Sequence, residues 1–323
     1  MANDWNQLTE NGGEGGVHST FTWLYTWWET YLKHPEPFEH TYELFVLIME
    51  SKNAMGIAPL MREKNTYNNT VCFLGEGVSD YADFLVEGER ESFFAELIIY
   101  LRKRFSNCYI RLQQFPQESP NYAALCSVLK QFNIEYQDRE IEICPYISIN
   151  GKWERYYSGV SKEHRYDIRR QEKLLSRDGK LQYIRVKMVP QELLQKFVLV
   201  NQERQHSLDR PSLFDNPFKR DFVSTVTEKF NNEGIMEAAY LALDSKIIAY
   251  AYGFGYRNNY YYWNVSFLSE FRKRSPGKIL VKKLLEDLYK DKYNEFDFVR
   301  GDEQYKFIWA RQQRSNRSVE FKV

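Results

Sequence analysis

The chain holds little on which metal or disulfide chemistry could be built. Of its 323 residues, four are cysteine and five are histidine. Cys72, Cys108, Cys126 and Cys144 are far apart and share no CxxC spacing, and His18, His34, His40, His164 and His206 form no HxH or HExxH set. These spacings argue against a zinc or dithiol site. Cys72, Cys108 and Cys144 fall in apolar, strand-like stretches and read as reduced core residues, which points to the cytoplasm. Net charge is also missing, because 44 Lys and Arg balance 44 Asp and Glu. No overall field draws the chain to DNA or to a membrane, so any basic surface must be local. The apolar run Leu44–Met49 is far short of the roughly 20 residues that a membrane span needs. Met1–Val17 is polar and lacks the apolar core of a signal peptide. Its Asn11-Gly12-Gly13-Glu14-Gly15-Gly16 stretch reads as flexible, so residues 1–18 are expected to be a mobile lead-in. There is no GxSxG elbow, no phosphate-binding P-loop, and no cysteine with an activating neighbour.

What the chain does have is aromatic mass: 24 Tyr, 22 Phe and 7 Trp. Such residues fill cores, and tyrosine also suits clefts because its hydroxyl needs a partner. At roughly 100–200 residues per domain, the length predicts two domains. Thr20–Lys33 has the spacing of a helix with Leu24, Trp27, Trp28 and Tyr31 on one stripe. Strands are expected at Tyr42–Glu50, Ala54–Arg62, Thr70–Leu74, Tyr81–Val86 and Cys108–Leu112, with helices at Glu91–Phe105 and Asn121–Gln131. Paired strands at Phe132–Gln137 and Glu140–Ile149 would close the first half. After a basic helix over Ser161–Arg177 the order recurs. Strand Leu181–Lys187 and helices Pro190–His206 and Pro217–Asn232 precede an antiparallel meander over Ile235–Leu243, Lys246–Gly255 and Asn259–Phe267. Helix Pro276–Lys290, strand Glu295–Val299, short helix Glu303–Arg311 and strand Ser318–Val323 complete it. The shared order predicts an α/β (α+β) protein of two related domains, 19–150 and 151–323. The basic helix is either a solvated connector or a platform for an anionic substrate.

Three segments of the second half carry the candidate chemistry. Simple alternation along Asn259–Phe267 puts Tyr260, Tyr262, Asn264 and Ser266 on one face. The neighbouring strand offers Ala249, Ala251, Gly253 and Gly255, which leave room either for a ligand near the backbone or for tight packing. Next, Phe271-Arg272-Lys273-Arg274-Ser275-Pro276-Gly277-Lys278 opens a helix, with Ser275 placed to cap it and Pro276 suited to its first turn. Free N–H groups, the positive end of the helix dipole and four nearby cations suit a pyrophosphate, and Gly277 lets it come close. Finally, Asp297–Trp309 runs from a strand through a polar turn into an acidic helix start, with Tyr305 and Trp309 one turn apart.

These segments resemble the branch of the GNAT superfamily typified by CelD-type proteins of bacterial cellulose-biosynthesis clusters. The residues carrying the resemblance are Trp23 with Trp27-Trp28, Gly77 with Asp80-Tyr81 and Asp83, Cys144-Pro145, Ser275-Pro276-Gly277, Asp297-Phe298, Arg300-Gly301, and Tyr305-Lys306 with Trp309. That branch is similar in turn to the Fem-type peptidoglycan aminoacyl transferases. The resemblance implies two tandem GNAT-like domains, with a donor site in the second alone. It implies acetyl-CoA or another acyl-CoA as co-substrate, held by Asn264, Val265, Ser266, Arg272, Arg274, Ser275, Gly277 and Lys278. The chain departs from the usual GNAT phosphate loop at Arg274–Lys278, where Ile279 stands in the place of a small residue; Fem-type relatives, whose loops also depart, use aminoacyl-tRNA.

In such a site a strand N–H polarises the acyl carbonyl, a base takes a proton from the acceptor, and an acid protonates the leaving group. The expected acid is Tyr305. Glu303 or Asp302 is a candidate base, and Lys306 would stabilise negative charge or hold an anionic acceptor. Asp80, Tyr81, Tyr262, Arg300 and Trp309 are candidate contacts to a small-molecule or glycan acceptor; no metal is called for. A non-catalytic polysaccharide-binding or assembly module on a degenerate form of the same fold remains open, since aromatic residues also stack on sugars.

Overall fold

The computed structural model describes residues 2–11, 16–36, 38–50, 53–64 and 69–323; Gly12–Gly15 of the glycine-rich stretch lie outside them. The chain divides into two compact units, Met1–Cys144 with Arg314–Val323, and Pro145–Gln313. The last ten residues belong to the first unit.

The first unit contains helices α1 (Ala2–Asn11) and α2 (Phe21–Lys33), strands β1 (Tyr42–Glu50), β2 (Ala54–Glu63), β3 (Val71–Phe73) and β4 (Leu85–Gly88), then α3 (Arg90–Arg104), β5 (Tyr109–Pro116), α4 (Pro120–Gln131) and most of β6 (Tyr136–Ser148). Helix α1 stands where a mobile lead-in was expected. Trp5 and Leu8 are buried, and the Trp5 indole donates to the Ser19 carbonyl at 2.9 Å. Helix α2 starts where the Thr20 hydroxyl accepts from the Trp23 N–H. The Trp23 indole then donates to Ser79 Oγ and the Trp27 indole to the Glu76 carbonyl. The strand expected at Tyr81–Val86 is confined to Leu85–Gly88. The buried Asp83 carboxylate is taken by Ser119 and Asn121 at the start of α4, which holds this stretch out of a ladder. Where two final strands were expected, β6 is one.

The second unit contains α5 (Trp153–Ser158), α6 (Lys162–Asp178), β7 (Leu181–Val186), α7 (Gln191–His206), α8 (Pro217–Glu233), β8 (Met236–Leu243), β9 (Lys246–Tyr256), β10 (Asn259–Phe267), α9 (Pro276–Lys290) and β11 (Glu295–Asp297). The final strand, β12 (Gln312–Lys322), pairs antiparallel with β5 in the first unit, from Asn316↔Pro116 to Lys322↔Tyr109. In the second unit the order is β6-β11-β10-β9-β8-β7, with β6 represented by Tyr146–Ser148. Only β10 and β11 run parallel there, so the fold is mixed α/β with a mostly antiparallel sheet flanked by helices. The short helix expected at Glu303–Arg311 is a single 3-10 turn, Lys306–Ile308.

One irregularity shapes the middle of this sheet. Tyr261 pairs with Phe254 and Asn264 with Tyr252, so Tyr262 and Trp263 together face Gly253. This is a β-bulge, and it shifts the alternation by one residue. Asn264 and Ser266 therefore share a face with Tyr252 and Tyr250, opposite to Tyr260, where unbroken alternation put all of them with Tyr260 and Tyr262. The Tyr250 hydroxyl donates to Asn264 Oδ1 at 2.5 Å across that face. Gly253 makes the bulge possible: a Cβ there would lie 2.3 Å from the Tyr261 carbonyl oxygen. Gly255 is small for a related reason, since its Cβ would meet the Glu237 carboxylate and the Tyr293 hydroxyl. Glu237 is buried and pairs with Arg185, while Tyr293 donates to its other oxygen. The small residues of β9 thus serve packing. Gly253→Ala should lower unfolding free energy by about 1–3 kcal/mol, as overpacking against a fixed backbone does. A urea melt with an unchanged midpoint would contradict this.

Candidate functional site

The bulge separates β10 from its parallel neighbour. Pairing with β11 covers Asn259–Tyr261 alone. From there to Phe267, β10 stays bonded to β9 while β11 ends at Asp297. The phase of the β9 ladder follows from the Leu268 N–H, which donates to the Ile248 carbonyl at 2.9 Å. With the register Val265↔Ala251 and Phe267↔Ala249, the backbones of Asn264 and Ser266 turn toward β9, and those of Val265 and Phe267 turn away from it. The Val265 and Phe267 N–H groups therefore point to the side that β11 has vacated. Of the three strand positions picked out from the sequence, Val265 offers its amide. Asn264 is engaged by Tyr250, and the buried Ser266 Oγ has no hydrogen-bond partner.

Beyond β10 a 3-10 segment, Ser269–Arg274, leads into α9. Ser275 occupies the cap position, but not as expected. Its φ is +47° and its side chain makes no capping bond. A left-handed serine costs about 1–2 kcal/mol, a strain that proteins keep mainly at functional loops. Gly277 has open space in front of it, since the nearest atom to an added Cβ is a Phe267 ring carbon at 3.9 Å. The cations divide into two groups. Arg274 pairs with Asp178 at 3.1 Å and Lys278 with Asp167 at 3.4 Å, both carboxylates belonging to α6. Arg272 and Lys273 are exposed. Glu172 of α6 also takes Lys283 of α9, at 2.6 Å.

The segment after β11 is held in an unusual shape. Buried Asp297 accepts from the Val299 N–H at 2.7 Å, and Val299 sits at φ +51°, a left-handed conformation that a β-branched residue rarely adopts. Gly301 follows at φ +114°. The buried Lys306 ammonium donates to the carbonyls of Arg300 at 2.6 Å and Gly301 at 3.3 Å, and pairs with Glu303 at 2.9 Å. These reach-back bonds curl the chain into a loop where a longer helix was expected. Glu303 is exposed, and its carboxylate is engaged by this lysine. Tyr305 lies over Phe298, which in turn contacts buried Tyr262. Burial pushes the Tyr305 phenol well above the ordinary tyrosine range, with smaller contributions from Tyr262 and Glu303. Burial likewise raises Tyr262. Trp309 is buried, and its indole Nε1 has no hydrogen-bond partner.

The structure thus gathers Tyr262, Glu303, Tyr305 and Lys306 into one cluster, tied by Lys306 to the Arg300 backbone. Asp80 and Tyr81 are buried in the first unit, where Asp80 lies 3.7 Å from His18. Lys219, in the first turn of α8, was not read from the sequence. Burial lowers its pKa, and the neighbouring Arg300 charge lowers it further. A lysine at the positive end of a helix is electrostatically misplaced, and that was the available signal. Among the described residues no group of His, Cys, Asp or Glu is arranged to hold a metal, and no helix is long and apolar enough to cross a membrane.

Comparison with known proteins bears on the fold. Residues 162–307 match the acetyltransferase (GNAT) domain family, a stretch that encloses β10, α9 and Tyr305. FemX superposes with a TM-score of 0.70 at 10% identity, covering 99% of this chain and 95% of its own. A conserved protein of unknown function from Bacteroides thetaiotaomicron superposes at 0.64 and 8% identity, covering 99% and 97%. The C-terminal domain of a putative lysylphosphatidylglycerol synthetase from Agrobacterium fabrum superposes at 0.58 and 12%, covering 99% and 90%. At these identities the likeness is one of fold. No curated protein matches the chain. The family match is confined to residues 162–307, within the second unit.

Because Lys306 is buried and satisfies two carbonyls, Lys306→Met should leave them unpaired and lower stability by about 1–3 kcal/mol. Thermal unfolding at the wild-type temperature would contradict this reading of the loop.

Proposed function

We propose that the second unit transfers an acyl group from acyl-CoA to an amine or hydroxyl. The observation that carries this reading is the parting of β10 from β11 beyond Tyr261, with the N-terminus of α9 past the end of β10. Residues on either side of that opening fit the donor. Val265 has an outward amide, Ser266 a buried hydroxyl without a partner, and Gly277 open space at a helix start. The exposed Arg272 and Lys273 flank the place for a pyrophosphate. Acyl-CoA would supply a thioester, whose acyl carbon forms the new bond to the acceptor as the bond to sulfur breaks. The Val265 N–H polarises the carbonyl. Tyr305, whose phenol burial holds well above the ordinary tyrosine range, gives its proton to the leaving sulfur, while the acceptor nitrogen or oxygen releases its own proton to solvent, from which the tyrosine is reprotonated. Lys306 and Glu303 serve the loop that positions Tyr305. Lys219 and Arg300 hold an anionic part of the acceptor. The CelD-type resemblance favours a cell-envelope or polysaccharide-precursor acceptor, and the first unit is assigned a supporting role without a donor site.

A second donor has one observation in its favour. Arg274 and Lys278 are already paired with Asp178 and Asp167, leaving fewer free cations for a pyrophosphate than the sequence offers. An aminoacyl-tRNA donor, as in the Fem-type proteins, would not depend on them. Its binding would weaken steeply with salt, whereas CoA binding would fall gently.

Thiol release from acetyl-CoA, screened against amino sugars and phosphorylated sugars, tests the proposal. Tyr305→Phe should reduce turnover by roughly 10²–10⁴-fold, the range for loss of an acid, and leave the apparent affinity for CoA unchanged. Since the phenol is raised, the wild-type rate should decline only above about pH 10, the ordinary tyrosine value. Undiminished turnover in Tyr305→Phe would remove the tyrosine from the mechanism, and failure of CoA to bind would remove the donor.

A further inference from the structure

We infer that the free edge of the first unit's sheet is a docking strand for a second copy of this chain, joined through β1 about a two-fold axis at Val46. Among the described residues β1 is the outermost strand of that sheet, paired on one side with β2 from Tyr42↔Glu63 to Glu50↔Met55. The hydrogen-bond phase can be read from its ends. The Lys64 N–H donates to the Thr41 carbonyl at 2.6 Å, so Thr41 faces β2, as do Glu43, Phe45, Leu47 and Met49. Leu44, Val46, Ile48 and Glu50 turn their N–H and C=O groups outward. Two observations agree with this phase. The Tyr42 N–H points away from β2 and donates to the Tyr31 hydroxyl. Pro59, opposite Val46, turns its carbonyl toward the Leu74 N–H on its other side.

The outward-bonding residues also share one side-chain face, and that face is apolar and open. Leu44 is 45% and Ile48 51% exposed, while Phe45, Leu47 and Met49 pack on the core from the other face. Exposed edges are ordinarily blunted by lysine, proline or a short strand. β1 has nine residues, Tyr-Glu-Leu-Phe-Val-Leu-Ile-Met-Glu, with neither lysine nor proline.

The strand complements itself. An antiparallel copy centred on Val46 sets Val46 against its equivalent, Leu44 against Ile48 of the copy, and Ile48 against Leu44 of the copy. These are the positions with outward N–H and C=O groups, so each pair exchanges two hydrogen bonds. The side chains brought together are apolar, and such cross-strand pairs stabilise a sheet. Phe45 faces Leu47 of the copy, Glu43 faces Met49, and Glu50 faces Tyr42, so no two like charges are opposed. A two-fold interface needs this self-complementarity, and one register supplies the hydrogen bonds, the apolar contacts and the charge spacing together.

The test is mass in solution by light scattering behind a sizing column, from low to high micromolar protein, on the full chain and two variants. Val46→Pro removes the central outward N–H but no bond to β2. Ile48→Lys places a charge opposite Leu44 of the copy. The wild type should run as a dimer, and both variants as monomers with unchanged circular dichroism and melting temperature. A wild type that stays monomeric at the highest concentration overturns the inference, as does a dimer that persists in both folded variants. Neither result depends on which acyl donor the second unit uses.

Discussion

The arrangement of the second unit depends on one extra residue. Two residues of β10, Tyr262 and Trp263, face one residue of β9, Gly253, and no larger side chain fits at that place. After the bulge, β10 keeps its bonds to β9 and loses those to β11. The backbone of Val265 is then free to serve a ligand, the polar groups of Asn264 and Ser266 move to the opposite face from Tyr260, and the helix that follows begins beside the opening. A strand paired on both sides would offer no amide and no room. The same bulge leaves Tyr262 packed among Phe296 and Phe298, the apolar surface on which Tyr305 rests.

Electrostatics around the opening follow a second constraint: charges near it are largely spoken for. α6 carries both signs, and its Asp167, Glu172 and Asp178 hold Arg274, Lys278, Lys282 and Lys283. Lys306 is similarly committed, because a buried ammonium must be paired and hydrogen-bonded to persist. A side chain that reads as catalytic by its neighbourhood in sequence thus serves the curl of the loop. The tyrosine one position earlier is half-buried against Phe298, and desolvation raises its phenol further above neutral pH. Lys219, partly desolvated, feels the positive charge of Arg300 nearby.

The fold was legible in the sequence wherever a pattern is local. The aromatic stripe of α2, the meander β8–β10, the long helix α9 and the order of elements in each half follow from spacing and turn residues. What escaped depends on distant partners. α1 is polar along its length and is held by Trp5 and Leu8, two residues too few to show a period. Alternation misassigned the faces of Asn264 and Ser266 because a bulge is set by Gly253 on another strand. Ser275 looked like a cap by residue type, yet its left-handed backbone turns the hydroxyl away from that task. The candidate site was read as a region, from Asn259 to Trp309, most of which lies within the residues 162–307 that match the GNAT domain family. The roles within it were less legible, since pairing of Lys306 with carbonyls five and six residues back is invisible without coordinates.

The central claim is that the opening where β10 parts from β11, beside the start of α9, receives the acyl donor. Hydrogen exchange at single-residue resolution, with and without CoA, tests it most directly. The account predicts slower exchange on CoA binding at the amides of Val265, Phe267 and Gly277–Ile279, with little change in the first unit. Saturable CoA binding with those amides unaffected would contradict it.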